Sequence, residues 1–168
     1  CAYFFLPLAK VRLGLDLRGG VHFELEVQGQ EALEADLKDT RERLEDRLRE
    51  KGMPNAAVTL EGASLKIEGV PSEQRAALDK QLDYFSGYQA SFEGDVAHLY
   101  QKPAYQKSLK DDASKRALLI IDNRINQFGV AEPEITPSGP DGSRIVVELP
   151  GVGEAERERI KNLLSTPG

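Results

Sequence analysis

Alternation of hydrophobic and polar residues predicts two half-buried strands, at residues 21–27 and 143–149. Because successive side chains of a strand point to opposite faces, every second residue lies on one face. The other face of the first stretch holds His22, Glu24 and Glu26, and we predict that it is exposed to solvent. The inward positions are Val21, Phe23, Leu25, Val27, Ile145, Val147 and Leu149.

Hydrophobic residues at helical spacing predict a long helix at residues 31–51, with an inward stripe and charged residues elsewhere. Gly52 is a predicted C-terminal cap, and Pro54 prevents the helix from continuing. The same criteria predict strands near 56–60, 64–68, 88–93, 95–101 and 134–136, and helices that begin near Ser72, Tyr105 and Glu154. The stripe of the first helix is Leu33, Leu37, Leu44 and Leu48.

The two halves of the sequence repeat one order of elements. Arg47 precedes Gly52 at the same spacing at which Arg124 precedes Gly129. A strand, a turn, a second strand, a proline and a helix are predicted after each glycine. With one strand added at each end, this unit has the β-α-β-β-α-β order of the ferredoxin-like motif.

We therefore predict an α+β fold of tandem ferredoxin-like repeats with antiparallel sheets. Residues 11–94 form the first repeat, with strand 21–27 as its opening strand, and residues 95–168 form the second. The closing strand of the second repeat is expected beyond Gly168, so that this repeat is incomplete.

Residues 1–10 contain a short apolar run that ends at Lys10. The run is shorter than the roughly 20 residues that span a bilayer. Aromatic residues near a proline and a lysine are typical of the interfacial end of a transmembrane helix. A disordered tail and a buried strand are the alternatives. Cys1 is the single cysteine, so an internal disulfide is excluded.

Composition narrows the classes of function. With 40% hydrophobic and 30% charged residues, the 168-residue chain has the balance of a globular protein. The net charge of −6 disfavours nucleic acid as a partner. His22 lies near Glu24 and Glu26 in the sequence, but no nucleophile lies beside it. A histidine and a carboxylate alone do not form a catalytic triad. We predict no catalytic residue, no metal site and no cofactor.

The most unusual stretch is Leu13-Gly-Leu-Asp-Leu-Arg-Gly-Gly20. In an extended backbone Asp16 and Arg18 point to the same side, where they can pair with each other or with a neighbour. Gly19 and Gly20 allow a tight turn or the close approach of another backbone. The stretch lacks the lysine and hydroxyl residue of a phosphate-binding loop. A strand entry with a salt bridge is the simplest interpretation of these residues alone.

This stretch resembles the signature of the SecD family of the bacterial Sec protein-export machinery. Residues 123–133 (NRINQFGVAEP) and 144–151 (RIVVELPG) resemble two further segments of that family, in the same order. The resemblance covers most of residues 11–164 and implies part of the first periplasmic domain of an inner-membrane subunit. The family belongs to the proton-driven RND transporters and assists late steps of translocation.

The resemblance implies three partners: SecF, the SecYEG channel and the translocating preprotein. It also implies that the motif residues Asp16, Arg18, Gly19 and Gly20 contact the rest of the subunit. Structural or partner contacts are expected at Arg47, Asn123, Arg124, Pro150 and Gly151. For the arginines, the expected contacts are carbonyls at a helix end or a neighbouring acid. The alternative function is a soluble ferredoxin-like domain that binds a small molecule and regulates another protein.

Overall fold

The computed structural model describes residues 8–15, 20–130, 132–139 and 142–165. Within them the chain forms eight strands, four α-helices and one short 3-10 helix, Ser72–Gln74. The strands are β1 (Leu8–Leu15), β2 (Val21–Val27), β3 (Ala57–Glu61), β4 (Ser64–Glu68), β5 (Tyr88–Glu93), β6 (Val96–Gln101), β7 (Glu134–Ser138) and β8 (Arg144–Leu149). The helices are α1 (Gly29–Glu50), α2 (Arg75–Leu82), α3 (Pro103–Phe128) and α4 (Glu154–Ser165).

The first sheet has the strand order β1-β2-β8-β7, and all its pairs are antiparallel. Its buried face packs against residues of α3 and α4 in one hydrophobic core. The inward positions predicted for β2 and β8 are confirmed, since all seven side chains are buried. The helix residues that are fully buried in this core are Ala117, Ile121, Ile125, Ile160 and Leu164.

The second sheet has the order β3-β4-β6-β5 and is also antiparallel. Its core takes Leu37, Leu44 and Leu48 from α1 together with Leu78 and Leu82 from α2. The predicted stripe of α1 is confirmed, as is its cap. Gly52 has φ 84°, and the amide of Met53 donates to the Leu48 carbonyl at 2.9 Å, as in a Schellman motif.

The predicted assignment of strands to tandem repeats is wrong. Strand β2 pairs with β8 and not with the β3–β4 hairpin, whereas β6 joins β4 in the second sheet. The chain thus contains two series of hairpin, helix, hairpin and helix, and each sheet combines hairpins from both series. Strands β2 and β6 show the same alternation of buried and polar residues. This pattern predicts that each is a strand, but it does not predict which strand lies beside it.

The compact units differ accordingly from the predicted division at residue 94. One unit comprises residues 1–32 and 109–168, and the other comprises residues 33–108. The first sheet has four strands without any segment beyond Gly168, because β1 occupies one edge. Strand β1 begins at Leu8, so the last three residues of segment 1–10 belong to a strand. Residues 1–7 lie outside the described part.

Candidate functional site

The second glycine of the motif, Gly20, directly precedes β2. Strand β1 ends at Leu15, β2 begins at Val21, and these two residues are register partners. Residues 16–20 therefore connect two neighbouring strands at one end of the first sheet. Asp16, Arg18 and Gly19 lie outside the described residues, whereas Gly20 is described.

Gly20 lies directly against the end of β8. A β-carbon built on Gly20 would lie 2.8 Å from the Leu149 carbonyl oxygen and 3.1 Å from the Pro150 α-carbon. The register explains this proximity, because Val21 pairs with Leu149. Any side chain at Gly20 would have to displace backbone, so glycine at this position permits the two segments to approach each other.

Two further predicted site residues belong to the same end of the sheet. Pro150 is exposed and follows the last residue of β8. Gly151 has φ 74°, a left-handed conformation that glycine adopts without strain. The turn leads to Val152, which is buried in the first core, and then to α4. The structure therefore brings together Gly20, Pro150 and Gly151, which are far apart in the sequence.

The solvent-facing side of this sheet carries ionic contacts between β2 and β8. The Arg144 guanidinium donates to the Glu24 carboxylate at 2.6 Å, and His22 Nδ1 lies 3.5 Å from a Glu148 oxygen. Among the described residues, the carboxylate nearest to the His22 ring is therefore that of Glu148 on the neighbouring strand. Both contacts are partly exposed, so they contribute modestly to stability and help to fix the strand register.

The arginines of the sequence repeat make different contacts. Arg124 donates to the carbonyl oxygen of Leu163 at 2.9 Å. That carbonyl lies in the last turn of α4, where helix geometry leaves acceptors without partners in the helix. Of the two contacts expected for this residue, the structure shows the one to a helix-end carbonyl. Asn123 is exposed on the preceding position of α3.

Arg47 does not bind a helix-end carbonyl among the described residues. Its guanidinium lies 3.9 Å from the ring centroid of Tyr84, which is a cation–π contact. The Arg47 Nε is buried and has no hydrogen-bond partner in the described part. The two arginines at the repeated spacing therefore make different contacts, one with a helix-end carbonyl of α4 and one with an aromatic ring.

A polar cluster in the second unit was not predicted. The Asp36 carboxylate, on α1, accepts hydrogen bonds from the Tyr88 hydroxyl, from Gln101 Nε2 at 2.8 Å and from the Tyr105 hydroxyl at 2.9 Å. Thr40, which is fully buried, also contacts the Tyr88 hydroxyl, at 3.1 Å. The one signal in the sequence is Gln101, a polar residue at an inward position of a strand.

The two tyrosines of this cluster hold their protons strongly. Burial raises the pKa of Tyr105 to about 12, and its hydrogen bond to Asp36 acts in the same direction. Burial and the bond to Asp36 also raise the pKa of Tyr88 above its ordinary value. At neutral pH both hydroxyls are donors to one carboxylate, so the cluster joins α1 to β5, β6 and the start of α3 within the second unit.

No helix in the described residues is both long enough and apolar enough to cross a bilayer. The same residues contain no cluster of three side chains suited to holding a metal ion.

Comparison with known families matches two segments of the chain. Residues 4–31 match the SecD/SecF GG motif, and residues 114–168 match the N-terminal part of the P1 domain of protein translocase subunit SecDF. Both segments belong to the first compact unit. They contain the two sides of the contact between Gly20 and Leu149.

Full-length relatives extend the match over most of the chain. Protein translocase subunit SecD of Syntrophobacter fumaroxidans is 31% identical over 161 residues, which are 91% of this chain and 30% of that protein. The SecD of Escherichia coli K12 is 34% identical over 152 residues, 89% of this chain and 24% of that protein. The Pseudomonas aeruginosa subunit is 32% identical over 156 residues, 89% of this chain and 25% of that protein. No solved structure matches the chain.

The glycine turn and the P1 segment beside it define a domain of a protein translocase subunit. The matches to complete subunits identify which one: the chain belongs to the SecD family. It spans about a quarter to a third of the length of these relatives.

Proposed function

We propose that this chain is the periplasmic P1 part of a SecD subunit in the bacterial inner membrane. The complete subunit uses the proton-motive force to assist preprotein export through the Sec channel. Its partners are SecF, the SecYEG channel and the translocating preprotein. The observation that supports this most strongly is that both family matches meet at one place, the contact of Gly20 with Leu149 and Pro150.

The role of this domain is mechanical, and no residue of it is catalytic. The loop of residues 16–20 starts and ends on paired strands, and its last residue is packed against the backbone of a third strand. Asp16 and Arg18 contact other segments of the same subunit, and movement of those segments is transmitted to the whole sheet.

The proposal also includes the evolutionary origin of the two sheets. The chain is a duplication of one ferredoxin-like unit, in which the leading hairpins have been exchanged between the two copies. The equivalent strand orders β1-β2-β8-β7 and β5-β6-β4-β3 support this view, as do the glycines at equivalent helix ends, Gly52 and Gly129.

Rescue of a depleted strain tests the function. Cells that have lost their own SecD are supplied with a complete subunit containing this chain, and the export of a secreted reporter is measured. A version of that subunit without residues 11–164 is the negative control, provided that it accumulates to the same level. We expect export to be restored by the first and not by the second. Equal export by both would contradict the proposal.

A further inference from the structure

A small cleft in the first unit has no role in the contacts described above. Its volume is about 120 Å³, and one water requires roughly 10–15 Å³ by this measure. The cleft is therefore large enough for a small oxyanion with part of its water shell. It lies between the start of α1, the side of α3 and the residue before β8, and its lining residues are Val27, Gly29, Gln30, Lys110, Ser114 and Ser143.

The start of α1 provides hydrogen-bond donors at this cleft. The amides of Gly29 and Gln30 belong to the first turn, and neither has a backbone acceptor among the described residues. A 22-residue helix also has a positive partial charge at this end, which favours anions. The acid of this turn, Glu31, is exposed, and its carboxylate is in contact with the side-chain amide of Gln28.

Lys110 adds a full positive charge at the same place. Its side chain lies so close to the helix start that a β-carbon on Gly29 would be 3.0 Å from the Lys110 γ-carbon. Within the described residues the Lys110 ammonium forms no salt bridge, whereas Lys115 on the same helix pairs with Asp112 at 3.6 Å. A cation beside a helix N-terminus is electrostatically unfavourable, and a bound anion would remove that cost.

Ser114 provides an independent indication that this cleft receives a ligand. Its side chain is nine-tenths buried and lines the cleft, but its hydroxyl makes no hydrogen bond to any described residue. Buried polar groups are nearly always hydrogen-bonded in native proteins. Because Ser114 lines the cleft, a molecule that occupies the cleft can be the partner of this hydroxyl.

We propose that the cleft binds a phosphate-type oxyanion between the amides at the start of α1, the Lys110 ammonium and the Ser114 hydroxyl. The negative ligand satisfies the free amides and the unpaired cation together, and it accepts a hydrogen bond from the serine. The oxyanion is either a free ion or the phosphate group of a lipid. The residues of this cleft are different from those of the contact between Gly20 and β8, on which the proposed translocase function rests.

Titration of the isotopically labelled chain with inorganic phosphate tests the site. We expect saturable shifts of the amide resonances of Gly29, Gln30 and Ser114, which sodium chloride at the same ionic strength does not produce. Lys110→Gln should weaken binding about tenfold, as expected for loss of a hydrogen bond to a charged group. Lys115→Gln removes the same charge outside the cleft and should bind phosphate as the unaltered chain does.

Ser114→Ala is the second variant, since it removes only an oxygen and should preserve the fold. It should also weaken binding, and near-ultraviolet circular dichroism checks that each variant is folded. Absence of saturable shifts, identical shifts in chloride, or unchanged affinity in both Lys110→Gln and Ser114→Ala would overturn the proposal.

Vesicles distinguish the two sources of the phosphate. Vesicles of phosphatidylglycerol in phosphatidylcholine should bind the chain if the ligand is a lipid phosphate, and inorganic phosphate should compete with them. Phosphate binding without vesicle binding assigns the site to a free ion. Vesicle binding that persists in Lys110→Gln, together with no response to phosphate, would contradict the site.

Discussion

Gly20 and Leu149 approach so closely that a β-carbon on the glycine would lie 2.8 Å from the leucine carbonyl oxygen. The two residues are on adjacent strands, at the end of the sheet where the β1–β2 loop and the turn before α4 meet. Because both neighbouring atoms are backbone, the contact fixes the position of Gly20 relative to β8. This relationship connects the two segments that match SecD families.

Gly20→Ala should destabilise the chain by about 1–3 kcal/mol, because the added methyl group must displace the backbone of β8. Urea unfolding measures the effect. Gly153→Ala is a matched control, since a β-carbon there meets no atom within 4 Å. Equal stabilities for the two variants would show that the loop and β8 are not in close contact.

The stability of the second unit should decrease in alkaline solution. In the unfolded chain Tyr105 ionises near pH 10, whereas in the folded chain its pKa is about 12. The folded form therefore binds more protons between these values, and its unfolding free energy falls as pH rises from 10 to 12. Tyr88 contributes in the same direction. Spectrophotometric titration and urea unfolding measure the two effects.

Tyr105→Phe should flatten this alkaline dependence, because it removes one of the perturbed hydroxyls. Tyr100→Phe serves as the control, since Tyr100 is partly exposed and stacks on His98. An alkaline profile that is identical in Tyr105→Phe and in the unaltered chain would contradict the assigned role of the cluster around Asp36.

Arg124→Gln should destabilise the end of α4 by about 1 kcal/mol, because the Leu163 carbonyl loses its donor. Hydrogen exchange should become faster in the last turn of α4. Arg49→Gln removes an exposed arginine whose partner is Asp46, at 3.1 Å, and should have a smaller effect. Unchanged exchange in α4 of Arg124→Gln would mean that this contact does not hold the helix end.

The pairing of β2 with β8 can be tested through the contact of Glu24 with Arg144. A double-mutant cycle with Glu24→Gln and Arg144→Gln should give a coupling energy of about 0.5–1 kcal/mol that decreases with salt. Glu26→Gln in place of Glu24→Gln provides a second cycle, at the exposed residue that is the register partner of Arg144. Zero coupling between Glu24 and Arg144 would argue against this strand pairing.

Local patterns were sufficient to predict most elements. The period-two pattern identified β2 and β8, and the helical stripe of leucines identified α1. These patterns report which face of an element is buried, and burial is what they physically encode. They do not encode which strand lies beside which, so the pairing of β2 with β8 and of β4 with β6 was not predicted.

The candidate site was also predicted only in part from the sequence. The glycines at positions 19 and 20 indicated a close approach of another backbone, and at Gly20 that backbone is β8. The cluster around Asp36 was not predictable, because this residue lies among many charged residues of α1 and its partners come from three later elements. Polar contacts across long sequence separations leave no periodic signal.

The most direct test of the proposed function is the rate of reporter export by a complete subunit that carries Arg18→Ala. Arg18 lies in the loop that Gly20 anchors to β8, and the alanine removes the charge proposed to contact the rest of the subunit. The account predicts slower export with an unchanged free energy of unfolding for the chain, and normal export for the Arg49→Ala control. Normal export by Arg18→Ala and by Asp16→Asn would contradict it.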